Sequence, residues 1–277
     1  MTNLLIYELK SRWIAILGWG VGLALVGSLY IFIYPDVAEQ IAELADWGIY
    51  QAMGFEVSTF AGYLASSVVM FSPIFMGIYS ILTSTHALAG EEDAGTLELL
   101  LATPLHRWQI VCTKAIAIIV SLFCILVIAG AGNGLSLLRI KEQVPVDVSY
   151  RQIFIAIVNG WPISTAFVML GLFLGAFLPS RKAAAITLTV IFIASYLGEN
   201  LANDVASLAP LKPYSLFSYF DSTVNVFQQG VRAKDVLVLL ALAALFLVLA
   251  LISFQRRNVS VGAWPWQQMV NRNAHRQ

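Results

Sequence analysis

The densest group of ionisable side chains in this 277-residue chain lies between Gly90 and Lys114, which reads G-E-E-D-A-G-T-L-E-L-L-L-A-T-P-L-H-R-W-Q-I-V-C-T-K. Glu91, Glu92, Asp93 and Glu98, with His106, Arg107 and Lys114, offer three kinds of chemistry: metal ligation, proton transfer, or charge pairing with a partner surface. The first two find little support. His86, His106 and His275 sit in no metal-ligand spacing such as H-E-x-x-H. No G-x-x-x-x-G-K-[ST], G-x-S-x-G or strand-to-helix G-x-G-x-x-G occurs, so the chain carries no phosphate cradle and no nucleophile elbow of its own. Cys112 and Cys124 lie on one expected helix about 18 Å apart at about 1.5 Å per residue, too far to bridge, and read as packing residues. A weaker polar cluster, Glu199 with Asn203 and Asp204, is the one place where an integral-membrane enzyme acting on lipids could keep catalytic groups.

The island matters because of what surrounds it. Hydrophobic residues make up 59% of the chain and charged residues only 12%, about half the charge of an average soluble protein. The composition is that of a membrane protein. Lys plus Arg and Asp plus Glu number 16 each, a balance that argues against a nucleic-acid partner and leaves the placement of charge as the informative quantity.

Charge-free runs place six spans in an all-α polytopic membrane fold, at about 13–34, 62–85, 110–138, 152–178, 183–200 and 235–255. Residues 1–12 alternate apolar and charged positions and predict an N-terminal amphipathic interfacial helix, retained because no cleavage site follows it. Pro35 is expected to end the first span, and Pro73 to kink the second. Gly18 and Gly22 form a G-x-x-x-G that could seat another helix. A second such pair, Gly130 and Gly134, reads more simply as a frayed helix end, and Gly171 and Gly175 form a third. No Asp, Glu, Lys or Arg falls near the middle of a span, which weighs against an ion-driven transporter; Lys114, Glu199 and Asp204 lie near helix ends, where solvated or snorkelling roles are expected.

Within the segment 86–109, a helix starting near Thr96 is expected, with Glu91, Glu92 and Asp93 ahead of its positive end, Gly95 making the turn, Thr96 capping and Pro104 stopping it. Such an element is either a lever gripped by a partner or a helix resting on headgroups, and pattern alone leaves both open. Ten of the 16 Lys and Arg fall on the side of this island and six on the other. That places both termini, the island, the Arg181–Lys182 turn and the 258–277 tail in the cytoplasm of a multi-pass inner-membrane protein, with 201–234 extracellular or re-entrant.

The run from Glu91 to Arg107, followed by Lys114 at the opening of a span, resembles the E-x-x-x-G-T-L-E-x-L-L-x-x-P-x-x-R…K segment of ABC-2-type transporter permeases. His106 departs from the Ser or Val usual before that Arg. The resemblance extends over most of the chain, through six spans, L-x-P-L-x-P-Y-S-L-F-S-Y-F-D ahead of the last, and Phe254-Gln-Arg-Arg257 after it. It implies the type V exporter-like permease fold, without an ATP site in this chain, which would not itself be an enzyme. A separate ABC ATPase subunit would hold ATP and Mg. A second permease copy, identical or not, would complete the complex in membrane lipid. It also implies an ATPase-coupling region of Glu91, Glu92, Gly95, Thr96, Glu98 and Arg107, with Arg181 and Lys182 in the second cytoplasmic turn. Pro210, Pro213, Tyr214, Phe217, Tyr219 and Phe220 would form an extracellular gate region. The function implied is ATP-driven alternating-access export of an amphipathic or hydrophobic substrate. The alternatives are the lipid-modifying enzyme and a non-transporting sensory subunit paired with the same kind of ATPase.

Overall fold

The computed structural model describes residues 1–45, 59–97, 104–144 and 146–257, apart from the side chains of 42–45, 203, 204, 206, 208, 209 and 211. Among them are six helical runs long and apolar enough to cross a membrane, and no strand. We label the helices α1 (Thr2–Ala45), α2 (Phe60–Leu64), α3 (Ser72–Thr85), α4 (Glu91–Asp93), α5 (Arg107–Ile140), α6 (Tyr150–Val158), α7 (Gly160–Phe177), α8 (Arg181–Asp204), α9 (Asn225–Gln228) and α10 (Ala233–Arg256). The second crossing is composite: π-helical turns at Ala65–Val69 and His86–Gly90 join α2, α3 and α4. The fourth is α6 and α7, stepped at Asn159 as the Asn-Gly-Trp-Pro run predicts.

Several expected boundaries shift, each for a physical reason. Residues 1–12 are continuous with the first span, and α1 runs through Pro35 to Ala45. Proline removes one rung of the ladder. The Tyr63 hydroxyl donates to the Tyr30 carbonyl beside that gap (3.0 Å), and the Tyr34 ring packs against Phe60 and Tyr63 at 4.7 and 5.0 Å. The second crossing breaks at Met70–Phe71, and Pro73 falls in the first turn of the new helix, where its missing N–H costs nothing. Local caps set other starts: the Ser149 backbone N–H donates to Gln152 (2.7 Å), and Ser180 accepts from the Ala183 N–H (3.2 Å).

Helix contacts are built where glycine removes a side chain. Gly18 and Gly22 face open space, whereas a Cβ at Gly20 would come within 2.9 Å of Ile128 and one at Gly27 would overlap the Asn133 amide. The seam between α1 and α5 therefore runs through Gly20 and Gly27, not through the G-x-x-x-G. Gly130 and Gly134 are no frayed end: α6 lies across them, with Phe154 3.1 Å and Tyr150 2.5 Å from the absent Cβ atoms. α7 is the central helix, buried on nearly all sides and packed on α3 and α10. Gly171→Leu should thus destabilise the bundle by about 1–3 kcal/mol by forcing Ser84 and Leu188 apart. Gly22→Leu should stay within about 0.5 kcal/mol. Thermal unfolding of the two variants in one detergent checks the contrast.

Candidate functional site

The polar island ends one helix before it opens the next: Thr96 and Leu97 are helical again, as a helix starting near Thr96 predicts, and the residues after Leu97 up to 103 lie outside those described. Glu91, Glu92 and Asp93 form the last turn of the second crossing, and Gly95, at φ +70°, terminates it, with the Gly95 N–H donating to the Glu92 carbonyl (3.0 Å). The Thr96 hydroxyl, on the first helical residue after that turn, donates back to the Glu91 carbonyl (3.1 Å). Three carboxylates therefore sit at the negative end of a helix, where the dipole disfavours them. Each must be compensated from elsewhere.

Lys114 supplies the first compensation. Its ammonium is 1% exposed and lies 2.7 Å from a Glu8 carboxylate oxygen and 2.5 Å from one of Glu91. The expected snorkelling role is thus corrected. The side chain turns into the protein because two carboxylates from two other helices meet it there. Arg12, one turn along α1, pairs with the other Glu8 oxygen at 3.2 Å. The four charges cancel, which is the condition for burying them.

Arg257 supplies the second. It pairs with Glu92 at 2.8 Å and donates to the Gly175 and Ala176 carbonyls at the open end of α7 (2.7 and 3.2 Å). Arg107 in turn donates to the Arg257 and Phe254 carbonyls (2.7 and 3.3 Å), satisfying the last turn of α10, and its guanidinium sits 6.0 Å from the Phe254 ring. Asp93 accepts from the Arg181 backbone N–H at 3.2 Å, an acid at the positive end of α8. All six crossings are joined at this end.

The expected site residues divide accordingly. Glu91, Glu92, Arg107 and Arg181 converge, with Gly95 and Thr96 in the adjoining turn; Lys182 is exposed one residue beyond. Glu98 lies outside the described residues, as do the tail and the side chains of Asn203 and Asp204. Sequence reasoning missed Glu8, Arg12 and Arg257 as members of the cluster. The Glu8–Arg12 spacing of four was a visible signal; partners 106 and 23 positions from Lys114 were not.

At the opposite end, two 3₁₀ helices, Ala206–Tyr214 and Leu216–Tyr219, fold back over α8. Phe217 is buried among Phe167, Phe192 and Tyr196, with centroids 5.3–5.8 Å away. Phe220 is buried, the Tyr219 hydroxyl donates to the Pro213 carbonyl (3.1 Å), and Pro210 and Tyr214 are exposed. Glu199 lines a polar cleft of about 390 Å³ with Lys212, Asp221 and Arg232.

Six apolar crossings gathered into one charged end define a multi-pass helical membrane protein. The family model for ABC-2 family transporter proteins matches residues 9–259. The chain belongs to that family. A search of the curated proteins finds no match.

Removing Lys114 leaves Glu91 without its counter-ion and the buried Glu8 with Arg12 alone. Lys114→Ala should lower stability by about 3–5 kcal/mol, read as a fall in detergent melting temperature. Lys114→Met combined with Glu91→Gln, which keeps the Glu8–Arg12 pair intact, should recover most of that loss, since the penalty lies in the unpaired charge and not in the missing bridge.

Proposed function

We propose that the chain is the membrane permease of an ATP-binding cassette exporter, driven by a separate ATPase subunit and completed by a second permease copy. The observation that carries this reading is the charged cluster that joins every crossing at one end, beside the segment from Glu91 to Arg107. Permeases of this family generally pair with ABC ATPase subunits, and the absence of a phosphate-binding motif from the sequence gives this chain a reason to need one. ATP and Mg belong to that subunit. Its closure displaces the 91–107 segment, and the displacement is passed through Glu91–Lys114–Glu8 to α5 and α1 and through Glu92–Arg257 to α7 and α10. The bundles then rock against each other and exchange inward and outward access. The charged end faces the cytoplasm, in keeping with the Lys and Arg excess there. The cargo is an amphipathic or hydrophobic molecule, in keeping with the lack of mid-span charge.

A mild-detergent pull-down of the tagged chain should yield an ABC ATPase in stoichiometric amount, and its absence across several detergents would sink the exporter reading. In that complex Glu98→Arg should abolish substrate stimulation of ATP hydrolysis while leaving expression and insertion unchanged; full coupling would remove Glu98 from the contact. With Cys112 and Cys124 replaced by Ala, Lys182→Cys should react with a membrane-impermeant maleimide only in inside-out vesicles. Labelling in right-side-out vesicles would invert the topology.

A further inference from the structure

The seam between α1 and α5 contains, toward its far end, a buried amide that the fold leaves unserved. Asn133 is 1% exposed, and its side-chain carbonyl oxygen has no hydrogen-bond partner. One turn along, Ser136 shows how such a group is normally satisfied: its hydroxyl donates to Ser28 at 2.6 Å. Asn133 lies seven residues before the end of α5, about 10 Å into the helix at about 1.5 Å per residue. An unpaired amide at that depth is costly, and membrane proteins keep such groups for function.

The amide borders a cavity of about 280 Å³ between α1, the second crossing and α5. Gly27 supplies the space for it, because any side chain there would overlap the amide. The other walls are mostly apolar or aromatic, with Val26, Tyr30, Phe71 and Phe75 prominent, and Ser67 and Ser72 also line it, the Ser72 hydroxyl already donating to the Val69 carbonyl (3.0 Å). Val26, Tyr30 and Phe71 are 42, 39 and 43% exposed, so the cavity opens sideways from the bundle toward lipid. Its volume is just below the about 300–1,000 Å³ of small-molecule sites, enough for one chain or ring system with the remainder left in the bilayer. A largely apolar hollow whose unpartnered buried acceptor is the Asn133 oxygen selects a hydrophobic molecule that carries one donor.

We infer that this cavity binds a membrane-dissolved amphiphile whose single hydroxyl or amide N–H is received by the Asn133 side-chain oxygen. The site stands whether or not the chain works as an exporter, because binding needs no ATPase. Two sources share the chemistry, a resident bilayer lipid and a transported compound.

The test uses the purified full chain in mild detergent with two photoreactive probes, a diazirine-bearing hexadecanol and the matching diazirine-bearing hexadecane. The alcohol should label peptides carrying Tyr30 and Phe75, unlabelled hexadecanol should compete, and the hydrocarbon should label several-fold less. Asn133→Leu, similar in size, should lower alcohol labelling about five-fold, the worth of one hydrogen bond to a buried acceptor. Val26→Trp at the exposed mouth should block both probes without touching the amide, and it keeps the test decisive if Asn133→Leu fails to fold. Equal labelling by the two probes, or undiminished alcohol labelling in either folded variant, overturns the site. Mass spectrometry of an organic extract separates the sources: a lipid retained by the wild type and lost from the variant is resident, whereas probe binding to a lipid-free wild type points to a compound taken up for transport.

Discussion

A charge cannot be left unpaired where lipid replaces water, and the burial of Lys114 is where this chain meets that constraint most directly. Placing a lone cation in a bilayer costs about 2.5 kcal/mol or more on insertion scales. Here the ammonium is enclosed by Glu8 from α1 and Glu91 from the second crossing. Three helices must therefore keep register at one end. The requirement is mutual, since Glu91 sits at the negative end of its own helix and needs the cation as much as the cation needs it. The rest of the cluster repeats the logic with Glu92 and Arg257, and with Asp93 at the start of α8.

The remaining contacts follow from that anchored end. With the ends of α1 and α5 tied through Glu8 and Lys114, the two helices run side by side along a seam of absent side chains at Gly20 and Gly27. Close approach in lipid is driven by packing and not by the hydrophobic effect, so a seam of small residues is what holds two such helices together. α7 occupies the centre, and its exposed terminal carbonyls are satisfied by Arg257, which also holds Glu92. One guanidinium thereby completes a helix end and pairs with an acid of a neighbouring helix.

Much of this architecture was legible in the sequence. Long charge-free runs gave six crossings because the bilayer sets their length and forbids isolated charges. The island announced itself by contrast. Misreadings cluster where a residue's neighbours are distant in the chain. Glu91 to Asp93 were expected only ahead of a helix start near Thr96; that they also end the preceding crossing depends on Lys114 of α5, Arg257 after α10 and the Arg181 backbone N–H of α8, all distant in the chain. Gly18 and Gly22 matched a motif but faced outward, while Gly20 and Gly27, seven apart, formed the seam. Asn133 gave no signal beyond its place in a glycine cluster, because burial without a partner is a property of three helices at once. Glu98, part of the family resemblance, lies outside the described residues.

The two ends of the bundle differ in how firmly they are held. At the Lys114 end, the ion pairs that join different crossings are 2.5–2.8 Å long, between side chains no more than 23% exposed, and they are reinforced by hydrogen bonds to helix-terminal carbonyls. At the other end, Lys212 pairs with Glu199 at 3.5 Å and Arg232 with Asp221 at 3.6 Å, with cations 44 and 57% exposed around a polar cleft. Exposed pairs of that kind contribute about 0–1 kcal/mol each. On the proposed exporter reading, force entering the tightly joined end moves the crossings as units, and the loosely joined end is where they separate first. A lever works only if one end of the bundle is stiff and the other can yield, and the distribution of buried charge meets both conditions.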